Sequence, residues 1–224
     1  PKRVFNYLSP ENGFEPLVET GTYCAHDNMV CTNGLKFYAD GALGSRGALL
    51  FEDYHDQPGT RGLQLISREE AIKAYRLALE NDVQVTTHAI GDRANYLVTE
   101  WYAEAMSQLE PEEARARRWR IEHAQIVRPE DIPAFGPLSI TASMQPSHAI
   151  GDLKFAPARL GDERLHGAYA WKSFVDEDIL VVGGSDAPVE QGDPRIEIFA
   201  ATRREALDGF KAENWHPEEA LGQD

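Results

Sequence analysis

The stretch from Ser67 to Asp82 shows the pattern on which the chain is built. Ser67 and Glu70 stand at the S-x-x-E spacing of a capping box, and Ile72, Tyr75 and Leu79 then recur at helical intervals until Glu80, Asn81 and Asp82 break the run. This spacing predicts a helix over about 68–80. VQVTTH (83–88) follows, and its β-branched content predicts a strand. Asp92 can cap a second helix, whose apolar stripe is Leu97, Trp101, Ala105 and Leu109. The unit is strand, loop, helix, and it repeats. RWRIEH (118–123) precedes RPEDIPAF, SITASMQ (139–145) precedes a loop and ERLHGAYAWKSFVD, and ILVVGGSD (179–186) precedes PRIEIFAATRREAL.

Alternation of this kind calls for a parallel sheet, because parallel neighbours need a crossover and a helix is its usual form. An open doubly wound sheet would usually carry a glycine-rich phosphate turn after its first strand, and no G-x-G-x-x-G occurs in the sequence. A TIM (β/α)8 barrel fits better. With RVFNYL (3–8) and GLKFYAD (34–40) there are six candidate strands, two short of a closed barrel. The chain opens at Pro1 on a strand already under way, and WHPEEALGQD (215–224) begins like a helix, with Pro217 at its first position, and stops within two turns. These ends predict an internal fragment: residues 1–224 as one incomplete catalytic barrel domain, about strands 3 to 8, without its N-terminal strands. Such a piece exposes strand edges and apolar interior, an aggregation hazard.

Charge narrows the partners. Against 22 Lys and Arg stand 37 Asp and Glu, a formal net charge of −15 that repels nucleic acid and anionic lipid over most of the surface. Neither nucleic acid nor membrane is expected as a partner, and no apolar run approaches the ~18 residues of a membrane span. Cys24 and Cys31, the only two cysteines, form no CxxC or CxxH pattern, which indicates neither a disulfide framework nor a zinc ribbon. The composition suits a reducing cytosol, so a cytoplasmic protein is expected.

In a β/α barrel the chemistry sits at the carboxyl ends of the strands, where the following loops share one mouth. His88, His123, Gln145 and Asp186 all fall there. Each has an ordinary explanation by itself: a loop hydrogen bond for His88, a satisfied core position for His123, a helix cap for Asp186. Together, two imidazoles and a carboxylate form a partial site for a divalent ion such as zinc. Lys36 lies in a strand whose neighbours Leu35, Phe37 and Tyr38 should be largely buried, and a buried ammonium is costly. Either it snorkels to the mouth or pairs with Asp40, or its pKa falls and the neutral amine takes up carbon dioxide to give a carbamate able to bridge two metals. Arg46, His148, Arg159 and Tyr169 follow or lie between the strand ends and are candidates to bind a substrate carbonyl or carboxylate. The alternative is that the arginines pin loops and that Tyr169 is core with Leu165 and Phe174. Trp101, Trp119, Trp171 and Trp215 read as packing.

GLKFYADGALGSRGA, THAIGDRA, RIEHAQ, MQPSH followed by RLGDERLHGAYAWKS, and GGSDAPVE, in this order, resemble the YtcJ-like branch of the amidohydrolase superfamily, related to N-substituted formamide deformylase. The resemblance runs from about residue 1 to 221. It implies a metal-dependent barrel, usually with a small β-sandwich built from the chain termini that is absent here. It makes Lys36 the strand-four lysine, carboxylated and bridging, and His88 and His123 the strand-five and strand-six ligands of the more buried of one or two divalent ions, zinc by their chemistry. Asp186 matches the strand-eight aspartate that touches a metal and takes the proton of the attacking water. The implied reaction is hydrolysis of an amide- or formamide-type C–N bond of a small molecule by a metal-activated water. The superfamily's H-x-H is missing: the seven histidines stand at 26, 55, 88, 123, 148, 166 and 216. The isolated fragment is therefore expected to be inactive. A barrel kept as a binding or structural subunit and a metal hydrolase of ester or phosphoester bonds are the alternatives, and self-association into a homo-oligomer is left open.

Overall fold

Parallel pairing of strand ends organises the chain, whose computed structural model describes residues 3–25 and 27–222. The first residues, Pro1 and Lys2, the last two, Gln223 and Asp224, and His26 lie outside the described residues. In chain order the elements are β1 (Val4–Leu8), α1 (Pro10–Thr20), β2 (Tyr23–Ala25), β3 (Val30–Tyr38), α2 (Arg68–Glu80), β4 (Gln84–Ala89), α3 (Asp92–Ala105) and α4 (Pro111–Arg117). They continue with β5 (Arg120–His123), β6 (Thr141–Met144), α5 (Pro146–Asp152), α6 (Ala156–Leu160), α7 (Trp171–Asp176), β7 (Val181–Gly183) and α8 (Pro194–Arg203). Six strands follow each other in parallel in the order β1-β3-β4-β5-β6-β7. This is a curled α/β sheet, an incomplete TIM barrel, as the strand-loop-helix repeat predicts.

Local rules account for the outer layer. Ser67 caps α2 with both halves of the capping box formed, and the helix buries Ala71, Ile72, Tyr75 and Ala78. Tyr75, Tyr102 and Trp119 meet edge to face, with centroids 4.9–5.6 Å apart. The hydroxyls of Tyr75 and Tyr102 reach Thr87 Oγ1 at 2.9 and 2.8 Å. Thr87 therefore faces the helices, and the period of two turns Thr86 and His88 to the inside of the sheet. All four tryptophans are buried, as expected of packing residues.

Four features depart from the sequence expectations. Gly91, not Asp92, caps α3; Asp92 is the first helical residue and accepts the backbone N–H groups of Phe51 and Arg93 at 3.0 and 2.7 Å. Helix α3 turns Ala94, Asn95, Val98 and Tyr102 inward beside Trp101 and Ala105, which leaves Leu97 half-buried and Leu109 beyond the helix end. RPEDIPAF and the start of ERLHGAYAWKSFVD form 3-10 turns, 129–135 and 163–167, the first with Pro133 inside it, and the C-terminal PEE is likewise a single 3-10 turn. Finally, β2 pairs antiparallel with β3 and sets Cys24 opposite Cys31, where the two sulfurs are bonded. This bond corrects the expectation that the two cysteines form no disulfide. No helix among the described residues is long and apolar enough to cross a membrane.

The loop after β3 and the turn after β4 are joined by one buried carboxylate. Asp40 accepts the N–H groups of Leu49 (2.8 Å), Ile90 (3.0 Å) and Gly91 (2.8 Å), and its side chain is fully enclosed. The partner expected for Lys36 is thus committed to backbone amides. Replacing Asp40 by Ala strands three buried N–H donors, at about 1–3 kcal/mol for each unsatisfied group. Urea unfolding should show Asp40→Ala less stable by about 3 kcal/mol or more and Ser67→Ala by only about 1 kcal/mol; equal losses would remove Asp40 from this role.

Candidate functional site

The carboxyl ends of β4, β5 and β6 bring three imidazoles into a row. His88 ends near β4's last residue, and its ring lies 4.5 Å, centroid to centroid, from that of His123 at the end of β5. His148, on α5 just past β6, stacks on His123 at 5.6 Å with planes 16° apart. Parallel register dictates this: Ala89 sits opposite His123, so the two histidines are staggered by one residue along adjacent strands.

Their hydrogen bonding leaves free lone pairs. Gln145 donates from Nε2 to the carbonyl of Ser143 at 3.2 Å, which fixes its amide so that Oε1 meets His123 Nδ1 at 2.8 Å. An oxygen there can only accept, so Nδ1 of His123 carries the proton and Nε2 presents the lone pair. Burial, with His88, Lys36 and His148 close by, pushes the His123 imidazole down to about 2, so it stays neutral. His88 Nε2 is buried, 3.4 Å from Asp40 Oδ1, yet makes no hydrogen bond, and His148 Nε2 is likewise buried without a partner, 4.0 Å from Glu190 Oε1. Orphaned imidazole nitrogens beside a neutral, tautomer-fixed neighbour suit a divalent transition-metal ion. Among the described residues no group of three or more His, Cys, Asp or Glu is close enough to hold an ion alone. An ion held at these imidazoles would need further donors, and Lys36 and Asp186 are the expected ones.

Lys36 faces the interior two residues before Tyr38, which pairs with His88. Burial pushes its amine down from the usual lysine range, opposed by the negative charges of Glu122 and Asp186 and reinforced by Arg120. Its acidic neighbours are therefore Glu122 and Asp186. Glu122 also accepts from Thr86 Oγ1 (2.7 Å) and lies 3.1 Å from Arg120 Nε. Asp186 follows β7, exposed, in the left-handed region at φ 52°. It caps no helix: Asp193 caps α8.

The rim is held in costly backbone. His123 (φ 76°), Ala124 (φ 43°) and Tyr169 (φ 53°) are all left-handed non-glycine residues, a conformation that costs about 1–2 kcal/mol each. Tyr169 is buried, and its hydroxyl meets Asp152 and, at 2.6 Å, Gln125 Nε2. Arg46 and Arg159 meet each other rather than the histidines. Both donate to Asp56, Arg46 at 3.1 and 2.9 Å, and Arg159 also donates to the carbonyl of Gly44. Gln125 and Asp152 were not singled out by spacing; the only available sign was that Asp152 lies one helical turn after His148.

Comparison with known proteins gives the family. Residues 3–220 match the amidohydrolase family. YtcJ of Bacillus subtilis strain 168, an amidohydrolase by name, is 36% identical over 187 residues, 84% of this chain and 34% of that protein. LONG AFTER FAR-RED 3 of Arabidopsis thaliana is 37% identical over 172 residues, 76% of this chain and 29% of that protein. Two uncharacterized metal-dependent hydrolases of known structure, from Pyrococcus horikoshii OT3 and Pyrococcus furiosus, superpose with TM-scores of 0.83 and 0.82 at 30% and 31% identity. Each match covers 98% of this chain and 42% of the solved one. The chain spans about a third of the length of the curated relatives it matches.

Asp152 makes the environment behind the histidines measurable. Burial raises its carboxyl to about 6, against the lowering effects of the Tyr169 hydroxyl, His148 and Gln125. Because the folded pKa lies above the unfolded ~3.9, the native protein binds the extra proton between these values, and stability falls as pH rises through them. From pH 4 to pH 7 the wild type should lose on the order of 2 kcal/mol relative to Asp152→Asn in denaturant unfolding. Parallel stability curves for the two proteins would contradict a buried, protonated Asp152.

Proposed function

The chain belongs to the amidohydrolase family, and from that membership we propose that it carries part of a divalent-metal site serving hydrolysis of an amide-type C–N bond in a small molecule. The observation that carries the reading is the His88–His123 pair, 4.5 Å apart, with His88 Nε2 buried without a hydrogen bond and His123 Nδ1 tied to Gln145 so that its Nε2 presents the lone pair. Two structural relatives described as metal-dependent hydrolases support it. His88 and His123 would hold the ion, with Lys36 and Asp186 completing the set; imidazole and oxygen donors suit zinc. The bound ion supplies Lewis acidity, lowering the pKa of a water and polarising a carbonyl.

The chain's own residues supply the rest. A depressed Lys36 pKa favours the neutral amine, whose nitrogen can form a bond to carbon dioxide with loss of a proton and become an anionic carbamate donor. Asp186, exposed at the end of β7, accepts the proton of the attacking water and passes it to the leaving nitrogen. His148 Nε2 is a free buried group beside the pair, placed to meet a substrate carbonyl. Arg46 and Arg159 share the single carboxylate of Asp56, which leaves one net positive charge at this loop cluster for a substrate carboxylate. The Tyr169 hydroxyl is already engaged by Asp152, so it would shape the pocket wall from behind.

On this reading residues 1–224 are a single catalytic-barrel piece, and the H-x-H that the resemblance implies and this sequence lacks would complete its ligand set. A binding or structural role is the second reading, favoured by the lack of any three-ligand group among the described residues. Cytoplasmic residence, read from the composition, stays part of this proposal.

Amide, ester and phosphoester panels, run with metal content on the barrel completed by an H-x-H strand, separate these readings. Asp186→Asn should lower amide turnover by about 100-fold or more with bound metal unchanged, and a chelator should abolish turnover until zinc is restored. An unchanged rate removes Asp186 from the proton transfer. Preference for phosphoesters overturns the C–N assignment, and metal bound without turnover on any panel puts the binding role first.

A further inference from the structure

His123 and Ala124 form two consecutive left-handed positions, at φ 76° and 43°, where the chain leaves β5. Neither residue type favours this region, so neighbours must hold the turn. Gln145 bonds the His123 ring and leaves the backbone alone. The backbone beyond the turn is clamped from elsewhere. Tyr169 N–H donates to the carbonyl of Gln125 at 2.7 Å, and Val127 N–H donates to the carbonyl of Gly167 at 2.9 Å. These bonds flank an antiparallel bridge between Ile126 and Ala168. Gly167 permits the approach, because a Cβ there would lie 2.0 Å from the Val127 carbonyl oxygen.

The side chains close the same clamp. Gln125 Nε2 donates to Asp152 Oδ2 at 3.1 Å and to the Tyr169 hydroxyl at 2.6 Å, and that hydroxyl donates to the same carboxyl oxygen. Asp152 rides on α5 one turn after His148, and Tyr169 is anchored from behind, its carbonyl accepting Arg204 Nη1 at 2.7 Å. Three rim segments, after β5, after β6 and before α7, thus converge on one carboxyl group.

We propose that Asp152, Tyr169 and Gln125 are positioning residues that hold the left-handed turn at His123–Ala124 and so aim the His123 imidazole at the ion shared with His88. The proposal rests on the metal-ligand reading of His123. None of the three touches the reacting groups; they act through the backbone that carries the ligand. Outer partners of this kind typically change metal affinity 10–100-fold.

Tyr169→Phe and Asp152→Leu each break the clamp, whereas Asp152→Asn keeps an acceptor for the Tyr169 hydroxyl. Amide exchange at Val127 and Tyr169, whose N–H groups make the two clamp bonds, the intraresidue HN–Hα NOEs of His123 and Ala124 that report positive φ, and Co2+ affinity of the chain are measured for all four proteins. Exchange at Val85 in β4 serves as the control for global stability. The disruptive variants should exchange about 10-fold faster or more at the two clamp amides, lose the NOEs and bind Co2+ about 10-fold more weakly, with Val85 unchanged and Asp152→Asn close to wild type. Unchanged clamp amides and NOEs in both disruptive variants would overturn the proposal, as would a lost turn with unaltered Co2+ affinity. Equal acceleration at Val85 would reduce the clamp to general stability and overturn it too. If the wild type binds no Co2+, the metal reading of His123 fails, while exchange and NOEs still decide whether the clamp holds the turn.

Discussion

Register between parallel neighbours is the constraint from which the rim follows. Tyr38 pairs with His88, and Ala89 with His123, so each strand delivers its polar residue to the same end of the sheet. Parallel strands joined by crossovers all finish on one side, and every loop that shapes the mouth starts there. A slip of one residue in β4 would exchange His88 with Thr87, placing an imidazole among Tyr75, Tyr102 and the helices. The aromatic cluster that grips Thr87 therefore also decides which face His88 occupies.

Polar groups at this rim are satisfied by backbone to an unusual extent. Asp40 takes three amides, and the Asn95 side chain donates to the carbonyls of Ala89, Ile90, Gly91 and Ile126 at 2.9–3.3 Å. Two buried side chains thus tie the ends of β3, β4 and β5 together. That rigidity offsets the left-handed residues His123, Ala124 and Tyr169, and it keeps orphaned nitrogens from finding protein partners of their own. Strain at His123, Ala124 and Tyr169 lies beside unmet hydrogen-bonding capacity at His88 and His148, a combination that suits a preorganised binding rim.

Much of this was legible from residue patterning, for identifiable reasons. The helix over 68–80 announces itself through a capping box and a 3.6-residue stripe, both local properties. Strands β3 to β7 show as β-branched or apolar runs ending in His, Gln or Asp, and the barrel geometry alone gathers those ends. Strand β2 escaped notice because three residues are too few to show a period, and with it went the pairing that sets Cys24 against Cys31. Asp40 could not be assigned from its place near Lys36, since its partners lie 9 to 51 residues away along the chain. Arg46 and Arg159 meet at Asp56 across more than 100 residues, and Asp152, Gln125 and Tyr169 meet from three separate segments. Long-range polar contacts leave no spacing to read.

The proposed site has His88 and His123 share one divalent ion. The most direct measurement is an anomalous-difference map from a crystal of the chain soaked in zinc and recorded on both sides of the zinc absorption edge. A shared ion gives a peak between the two imidazoles, about 2.0–2.1 Å from a ring nitrogen of each. A peak elsewhere on the chain, or none at this rim with full occupancy at another, would contradict it.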